Sequence, residues 1–133
     1  MDYIDSNYLC YLLTKHKKYA DKVEAYLVQV ALGEKKCAAS VYALTELYIT
    51  LKRWFKWPEE RAMWALDAIL QNSNIDFLPL TEEIMRKVVD LRKKGYSYGD
   101  SIHLATLEAN GLTSILSEDK DFDRYQGIER ETL

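Results

Sequence analysis

Histidine is scarce in this sequence, and the glycine patterns of several common enzyme classes are missing. The only two histidines are His16 and His103, so the H-E-x-x-H motif of zinc hydrolases is excluded. The five glycines form neither a G-x-S-x-G nucleophile elbow nor a phosphate-binding P-loop. Any chemistry must therefore depend on other side chains.

Cysteine and long apolar runs are also rare. Cys10 and Cys37 follow no metal-binding spacing and lie in apolar contexts, which predicts small buried side chains rather than a disulfide. No apolar run approaches the ~18–20 residues that span a bilayer, and the N-terminal MDYIDSN lacks the layout of a signal peptide. We therefore expect a cytoplasmic location.

Linkers rich in proline or glycine, internal repeats and low-complexity segments are absent, so residues 1–133 are predicted to form one domain. Hydrophobic residues make up 48% and charged residues 29%, the balance of a globular protein. The net charge of −3 does not by itself predict a nucleic-acid-binding surface. Short basic runs at 15–18, 51–57 and 92–94 are most often solvated helix surface.

Short apolar runs alternate with longer helical stretches along the chain. Strands are predicted at 3–4, 37–40, 75–80 and 112–116, with a last edge strand in GIERETL (127–133). Helices are predicted at 8–32, 41–57, 59–71, 82–94 (with Thr81 as N-cap) and from 97–100 to the terminating NG at 110–111. This alternation predicts an α/β fold with a mainly parallel sheet between helices, whose reacting groups collect at the carboxyl ends of the strands.

Four acidic residues occupy strand ends and helix starts. Asp5 follows the first strand and Asp119 the strand at 112–116, whereas Asp100 lies at a helix start and Glu46 within a helix. Asp5 could simply cap a helix, Asp100 could belong to a capping box with Ser97, and Asp119 could be solvated loop charge.

Glu46 has no basic residue three or four positions away, and apolar residues surround it on its helix. We therefore expect it to be largely buried and to need a partner, such as a metal ion. His103, one turn after Asp100, is expected to be an ordinary packed helix histidine rather than a ligand.

Taken together, the four acids favour a site for hard divalent cations, which prefer carboxylate oxygens and phosphate. Two such ions could activate a water and stabilise the leaving oxygen of a phosphodiester. In ILSEDKDFDRY (115–125), an extended segment would point Asp119, Asp121 and Asp123 the same way. Glu118 is then expected to be solvated surface, and Asp123 to cap the turn after Phe122.

Four segments in order resemble the PIN-domain family of metal-dependent ribonucleases, and within it the VapC-like toxins of toxin–antitoxin pairs. They are YIDSNYLCYLL, AASVYALTELY, YSYGDSIHLATLEANG and SILSEDKDFDRYQGIE. The resemblance implies a PIN-like three-layer α/β/α sandwich with a five-stranded sheet. It also implies an acidic pocket that binds Mg²⁺ or Mn²⁺ and cuts RNA, with a VapB-like antitoxin as partner and a homodimer or higher homo-oligomer as the expected assembly. The implied catalytic and metal-binding residues are Asp5, Glu46, Asp100 and Asp119, with Asp121, Ser6, Asn7 and Ser117 as accessory residues.

The segment LKRWFKWPEERAMW (51–64) holds all three tryptophans. It could be a stacking surface for bases, an apolar groove for an antitoxin helix, or two packed helices with Trp54, Phe55, Trp57 and Trp64 in the core or a dimer interface. Core or interface is favoured over base stacking.

A non-catalytic module is the alternative function. It would bind RNA or a partner on the same scaffold without cutting, and the acids would serve as caps and solvated charge. A phosphoacceptor receiver domain is disfavoured, because the third predicted strand ends in PLTEE and offers no aspartate after it.

Overall fold

A computed structural model describes all 133 residues of the chain. Its five strands form one sheet in the order β3-β2-β1-β4-β5, and every neighbouring pair is parallel. The strands are β1 (Asp2–Ile4), β2 (Cys37–Ser40), β3 (Asp76–Leu78), β4 (Ser114–Leu116) and β5 (Glu129–Glu131). The predicted fold class is confirmed, and the sheet is parallel throughout.

Six helices cover the two faces of the sheet. They are α1 (Ser6–Leu13), α2 (Ala20–Ala31), α3 (Val41–Arg53), α4 (Glu59–Asn72), α5 (Glu82–Lys93) and α6 (Tyr98–Ala109), and a short 3-10 helix follows at Lys120–Arg124. None of these helices has both the length and the apolar character needed to cross a membrane.

Alternation along the short strands divides the apolar residues into two cores, one on each face. Ile4 and Leu116 join the core that α1, α2, α3 and α4 cover. Tyr3 and Ile115 point the opposite way, into the core under α5 and α6. Because neighbouring strand residues face opposite sides, three-residue strands are sufficient to link two helical layers through one sheet.

Two predicted helices are too long. The stretch predicted as one helix at 8–32 is two, because the chain turns between α1 and α2, with Lys15 in the left-handed region at φ 56°. The helix predicted at 41–57 ends at Arg53, and Lys56 has φ 54°. Neither lysine is a residue type that signals such a turn, so no local pattern indicated these breaks.

The tryptophan-rich segment is divided between core and surface. Trp57 is buried, and the Arg61 guanidinium lies 3.8 Å from the centre of its ring. Trp54 and Trp64 are 80% and 67% exposed. The core interpretation is therefore confirmed for Trp57 and wrong for Trp54, Phe55 and Trp64, whose role in an interface stays a prediction.

Candidate metal centre

The predicted acidic residues lie around the carboxyl ends of β1 and β4, at the centre of the sheet. The chain runs from β1 outward to β2 and β3 on one side, and later to β4 and β5 on the other. A crevice at such a reversal of strand order is the usual ligand site of a parallel sheet. Asp5 follows β1 directly, and Ser117 follows β4 directly.

Three carboxylates form the tightest group at this edge. Asp100, Asp119 and Asp121 each offer an oxygen, and these oxygens all lie within 4.8 Å of one another. Asp121, which the resemblance implied only as an accessory residue, is thus a full member of this group. Asp5 and Glu46 lie outside this group and connect to its surroundings through hydrogen bonds.

The predicted extended geometry of residues 119–123 is wrong. Asp119 is the N-cap of the 3-10 helix, and its carboxylate accepts a hydrogen bond of 2.9 Å from the backbone N–H of Asp121. This local turn brings Asp119 and Asp121 to the same cation-sized space, because a carboxylate that caps a backbone N–H retains free lone pairs.

Asp5 is both a helix cap and a member of the acidic pocket. Its Oδ1 accepts from the backbone N–H of Asn7 at 3.4 Å, and its Oδ2 accepts from the Ser117 hydroxyl at 2.7 Å. The Ser117 oxygen in turn accepts from the backbone N–H of Asp119 at 3.0 Å. Ser117 therefore ties the acid after β1 to the acid after β4. Asn7 contributes its backbone N–H, and its side chain is exposed.

Glu46 has a partner that the sequence did not reveal. Its Oε1 lies 2.5 Å from Nε2 of His103 and 3.2 Å from the Ser6 hydroxyl, which also lies 3.4 Å from Asp5. The Glu46 side chain is 27% exposed. The carboxylate is mostly buried and has a partner, as expected, but the partner that the structure shows is His103 on α6.

Burial and like charge set the electrostatics of the pocket. Burial raises the pKa of Asp5, and the nearby charge of Glu46 adds to the rise, against the opposing effects of His103 and the Ser117 hydrogen bond. Burial also raises the pKa of Asp100, and the charge of Asp119 adds to it. For His103, burial opposes the charged form, but the hydrogen bond to Glu46 and the negative charges of Glu46, Asp5 and Asp100 together outweigh it, and the pKa is raised.

The donor set fits a hard divalent cation. Every ligand atom in the tight group is a carboxylate oxygen, the donor that Mg²⁺ and Mn²⁺ prefer. Burial and the neighbouring charge of Asp119 both raise the pKa of Asp100, and a bound cation would favour the charged form of these acids.

Two neighbouring acids do not behave as predicted. Glu118 is half-buried and accepts a hydrogen bond of 3.1 Å from the hydroxyl of Tyr8, so it is not merely solvated. Asp123 does not cap a turn, because both its oxygens accept from the Arg130 guanidinium at 2.9 and 3.2 Å. Both acids fasten the segment that carries Asp119 and Asp121 to the rest of the fold.

Sequence reasoning missed three residues of this environment and set aside a fourth, His103, as an ordinary packed histidine. Tyr3 forms a hydrogen bond with the buried side of the His103 ring, and Arg130 holds the 3-10 helix through Asp123. Gly99 approaches Glu46 so closely that a Cβ there would lie 2.9 Å from Glu46 Oε2. The one available signal was the placement of His103 three positions after Asp100, on the same face of α6.

Comparison with known proteins agrees with these features. The PIN domain profile matches residues 3–128, and the chain belongs to the PIN domain family. VapC ribonuclease Mb1869c of Mycobacterium bovis and ribonuclease VapC13 of Mycobacterium tuberculosis are each 27% identical to it over 132 residues, with 96% of both chains covered.

Solved structures share the fold at lower identity. VapC20 of M. tuberculosis, described as a toxin that cleaves the sarcin–ricin loop, is similar with a TM-score of 0.72 and 16% identity, covering 92% of this chain and 93% of its own. VapBC2 of Rickettsia felis, bound to a DNA fragment from its promoter, gives a TM-score of 0.70 and 18% identity, with 99% and 98% covered. The resemblance drawn from the four sequence segments is therefore confirmed at the level of family and fold.

Proposed function

We propose that this protein is an endoribonuclease that hydrolyses RNA phosphodiester bonds with the help of Mg²⁺ or Mn²⁺. The observation that carries the proposal is the group formed by Asp100, Asp119 and Asp121 at one edge of a parallel sheet. Hydrogen bonds of Ser117 and Ser6 join Asp5 and Glu46 to its surroundings. Membership of the PIN domain family and the ribonuclease relatives support the same reaction.

The acidic residues have distinct tasks in this proposal. Asp100, Asp119 and Asp121 would hold the cation, and Asp5 and Glu46 would complete the negative surface around it. A bound divalent cation supplies the positive charge that activates water and stabilises the leaving oxygen of a phosphodiester. Ser117 and Ser6 keep Asp5 and Glu46 in fixed orientations through their hydroxyl groups, as supporting residues commonly do at metal sites.

We also propose that the protein is the toxin of a toxin–antitoxin pair in the cytoplasm and that a VapB-like antitoxin holds it inactive. The similarity in fold to VapC20, which is described as a toxin, and to VapBC2 supports this proposal. An apolar groove between α3 and α4 offers a surface on which an amphipathic antitoxin helix could dock. Its lining residues are Leu44, Thr45, Tyr48, Ile49, Met63 and Leu66.

Cleavage of RNA by purified variants tests the nuclease proposal. We expect Asp5→Asn and Asp100→Asn to lower the rate by at least about 100-fold, since each removes a charge that the reaction needs. Asp90→Asn is the matched control, because Asp90 is an exposed acid on α5 and its loss should leave the rate unchanged. Full activity in both site variants would disprove the mechanism. Saturable Mn²⁺ binding by the wild type without cleavage would favour the non-catalytic module.

A further inference from the structure

A line of buried hydrogen bonds runs beneath the acidic pocket, from the sheet to Glu46. The Tyr3 hydroxyl lies 2.5 Å from Nδ1 of His103, and Nε2 of the same ring lies 2.5 Å from Glu46 Oε1. Tyr3 is 0% exposed and His103 is 2% exposed. Polar side chains at such depth must form their hydrogen bonds with other protein groups, because water does not reach them.

Hydrogen-bond accounting fixes the direction of this line. The Tyr3 oxygen accepts the backbone N–H of Ser40 at 3.1 Å, and Nδ1 of His103 is the acceptor within reach of its own proton. With Nδ1 accepting, the neutral ring carries its hydrogen on Nε2 and donates it to Glu46, and a protonated ring donates from Nε2 to Glu46 as well. Tyr3 thus selects the tautomer that presents a donor to the pocket.

The consequence for Glu46 is that its two oxygens differ. Oε1 receives hydrogen bonds from His103 and Ser6. Oε2 faces Gly99, the residue before Asp100, at a distance that leaves no room for a Cβ. One oxygen is therefore anchored and the other is held at the start of α6, next to a member of the tight carboxylate group.

We propose that Tyr3 and His103 are positioning residues that orient the Glu46 carboxylate toward the cation, and that Gly99 leaves the space for it. The inference rests on the proposed function, because it concerns a carboxylate of the same site. Neither Tyr3 nor His103 touches RNA. Partners that orient a metal-binding side chain typically change metal affinity by about 10- to 100-fold when they are removed.

A purely structural role for the pair is the competing explanation. The two rings pack edge to face with centroids 5.6 Å apart, so any large change could loosen the core. Tyr3→Phe keeps the ring and removes the hydroxyl. The matched control is Tyr26→Phe. Tyr26 is another buried tyrosine, lies in the core on the other face of the sheet, and donates a hydrogen bond of 2.7 Å to Asp2.

The test is a Mn²⁺ titration of each intact protein followed by electron paramagnetic resonance, with thermal unfolding measured alongside. We expect Tyr3→Phe to weaken Mn²⁺ binding about 10-fold, and Tyr26→Phe to bind Mn²⁺ as the wild type does even where both lower the melting temperature. His103→Gln retains an amide donor that can reach the position of Nε2. It should bind Mn²⁺ more tightly than His103→Leu, which has no donor.

The outcomes separate this inference from the proposed function. If Tyr3→Phe binds Mn²⁺ like Tyr26→Phe, or if the Gln and Leu variants of His103 bind equally, the positioning role is overturned while the nuclease proposal stands. If the wild type itself binds no Mn²⁺ and cleaves no RNA, the proposed function fails, and the positioning role fails with it. Should Tyr3→Phe not fold, the His103 pair decides alone.

Discussion

The carboxyl group of Asp5 is almost fully buried, and only hydroxyl and amide donors contact it directly. Such a position raises the pKa of an acid, because burial disfavours the charged form. Ionisation of Asp5 in the folded protein therefore costs stability. A residue of this kind is typical of a site where function and stability compete.

Asp5→Asn should therefore stabilise the metal-free protein at neutral pH. The pKa of Asp5 is raised in the folded state. Its carboxyl group therefore lowers the stability of the wild type by nothing at a pH below the unfolded-state pKa of about 3.9, and by the full amount at a pH above the folded-state pKa. The advantage of the variant should thus be absent near pH 3 and grow as the pH rises toward 7. Thermal unfolding in the presence of chelator measures it, and a variant that is less stable throughout this range would contradict the interpretation.

Single residues also show where sequence reasoning stops. Asp5, Asp100 and Asp119 could be selected because strand ends and helix starts are visible as local patterns. The partnership of Tyr3 with His103 joins residues 100 positions apart. It depends on how α6 lies on the sheet, which no local pattern encodes.

At the scale of elements, Arg130 on β5 fastens the 3-10 helix to the sheet. Its guanidinium donates to both oxygens of Asp123 and, at 3.1 Å, to the carbonyl of Ser117. The segment between these two contacts carries Asp119 and Asp121. The last strand therefore supports the candidate metal centre without adding a carboxylate to it.

Arg130→Met should loosen this segment and weaken Mn²⁺ binding while leaving the melting temperature nearly unchanged. The ion pair with Asp123 is exposed on the acid side, and exposed pairs contribute little to stability. Arg86→Met is a suitable control, since Arg86 forms an exposed pair with Glu82 on α5. Amide hydrogen exchange of residues 117–124 would report the loosening. Unchanged exchange and unchanged Mn²⁺ affinity would contradict this role.

The turn between α1 and α2 gives a second prediction for an element. Lys15 adopts φ 56°, a conformation that costs about 1 kcal/mol for a residue with a Cβ. Lys15→Gly should raise the free energy of unfolding by up to about 1 kcal/mol, since glycine adopts this conformation without the clash.

Lys22 provides the contrast for that substitution. It is exposed within α2, and Lys22→Gly should lower the free energy of unfolding by about 1 kcal/mol. Denaturant unfolding of both variants distinguishes the two effects. Equal destabilisation would place Lys15 inside one continuous helix, as the sequence pattern predicted.

At the scale of the whole molecule, the alternation of strands and helices was sufficient to predict the architecture. The two cores follow from strand residues that point to opposite faces. The exposed positions of Trp54 and Trp64 could not be predicted from the sequence, because apolar side chains at a protein interface have the same sequence pattern as those in a core.

The exposed tryptophans favour the predicted homo-oligomer. Trp64 on α4 and Trp54 just after α3 leave a large aromatic area in water, which association would cover. We expect the wild type to be larger than a monomer by light scattering, and the double variant Trp54→Ser, Trp64→Ser to shift toward the monomer. Val28→Ser, at another exposed apolar residue, is the control. A monomeric wild type would contradict the prediction.

The most direct test of the central claim is RNA cleavage by metal-stripped protein as Mn²⁺ is added back. If the carboxylates at the ends of β1 and β4 act through a bound cation, the wild type should not cleave RNA in chelator. Its activity should return saturably as Mn²⁺ is added, and Asp90→Asn should behave in the same way. Asp100→Asn should stay inactive at Mn²⁺ concentrations that saturate the wild type. Cleavage that persists in chelator, or that Asp100→Asn retains in full, would contradict the account.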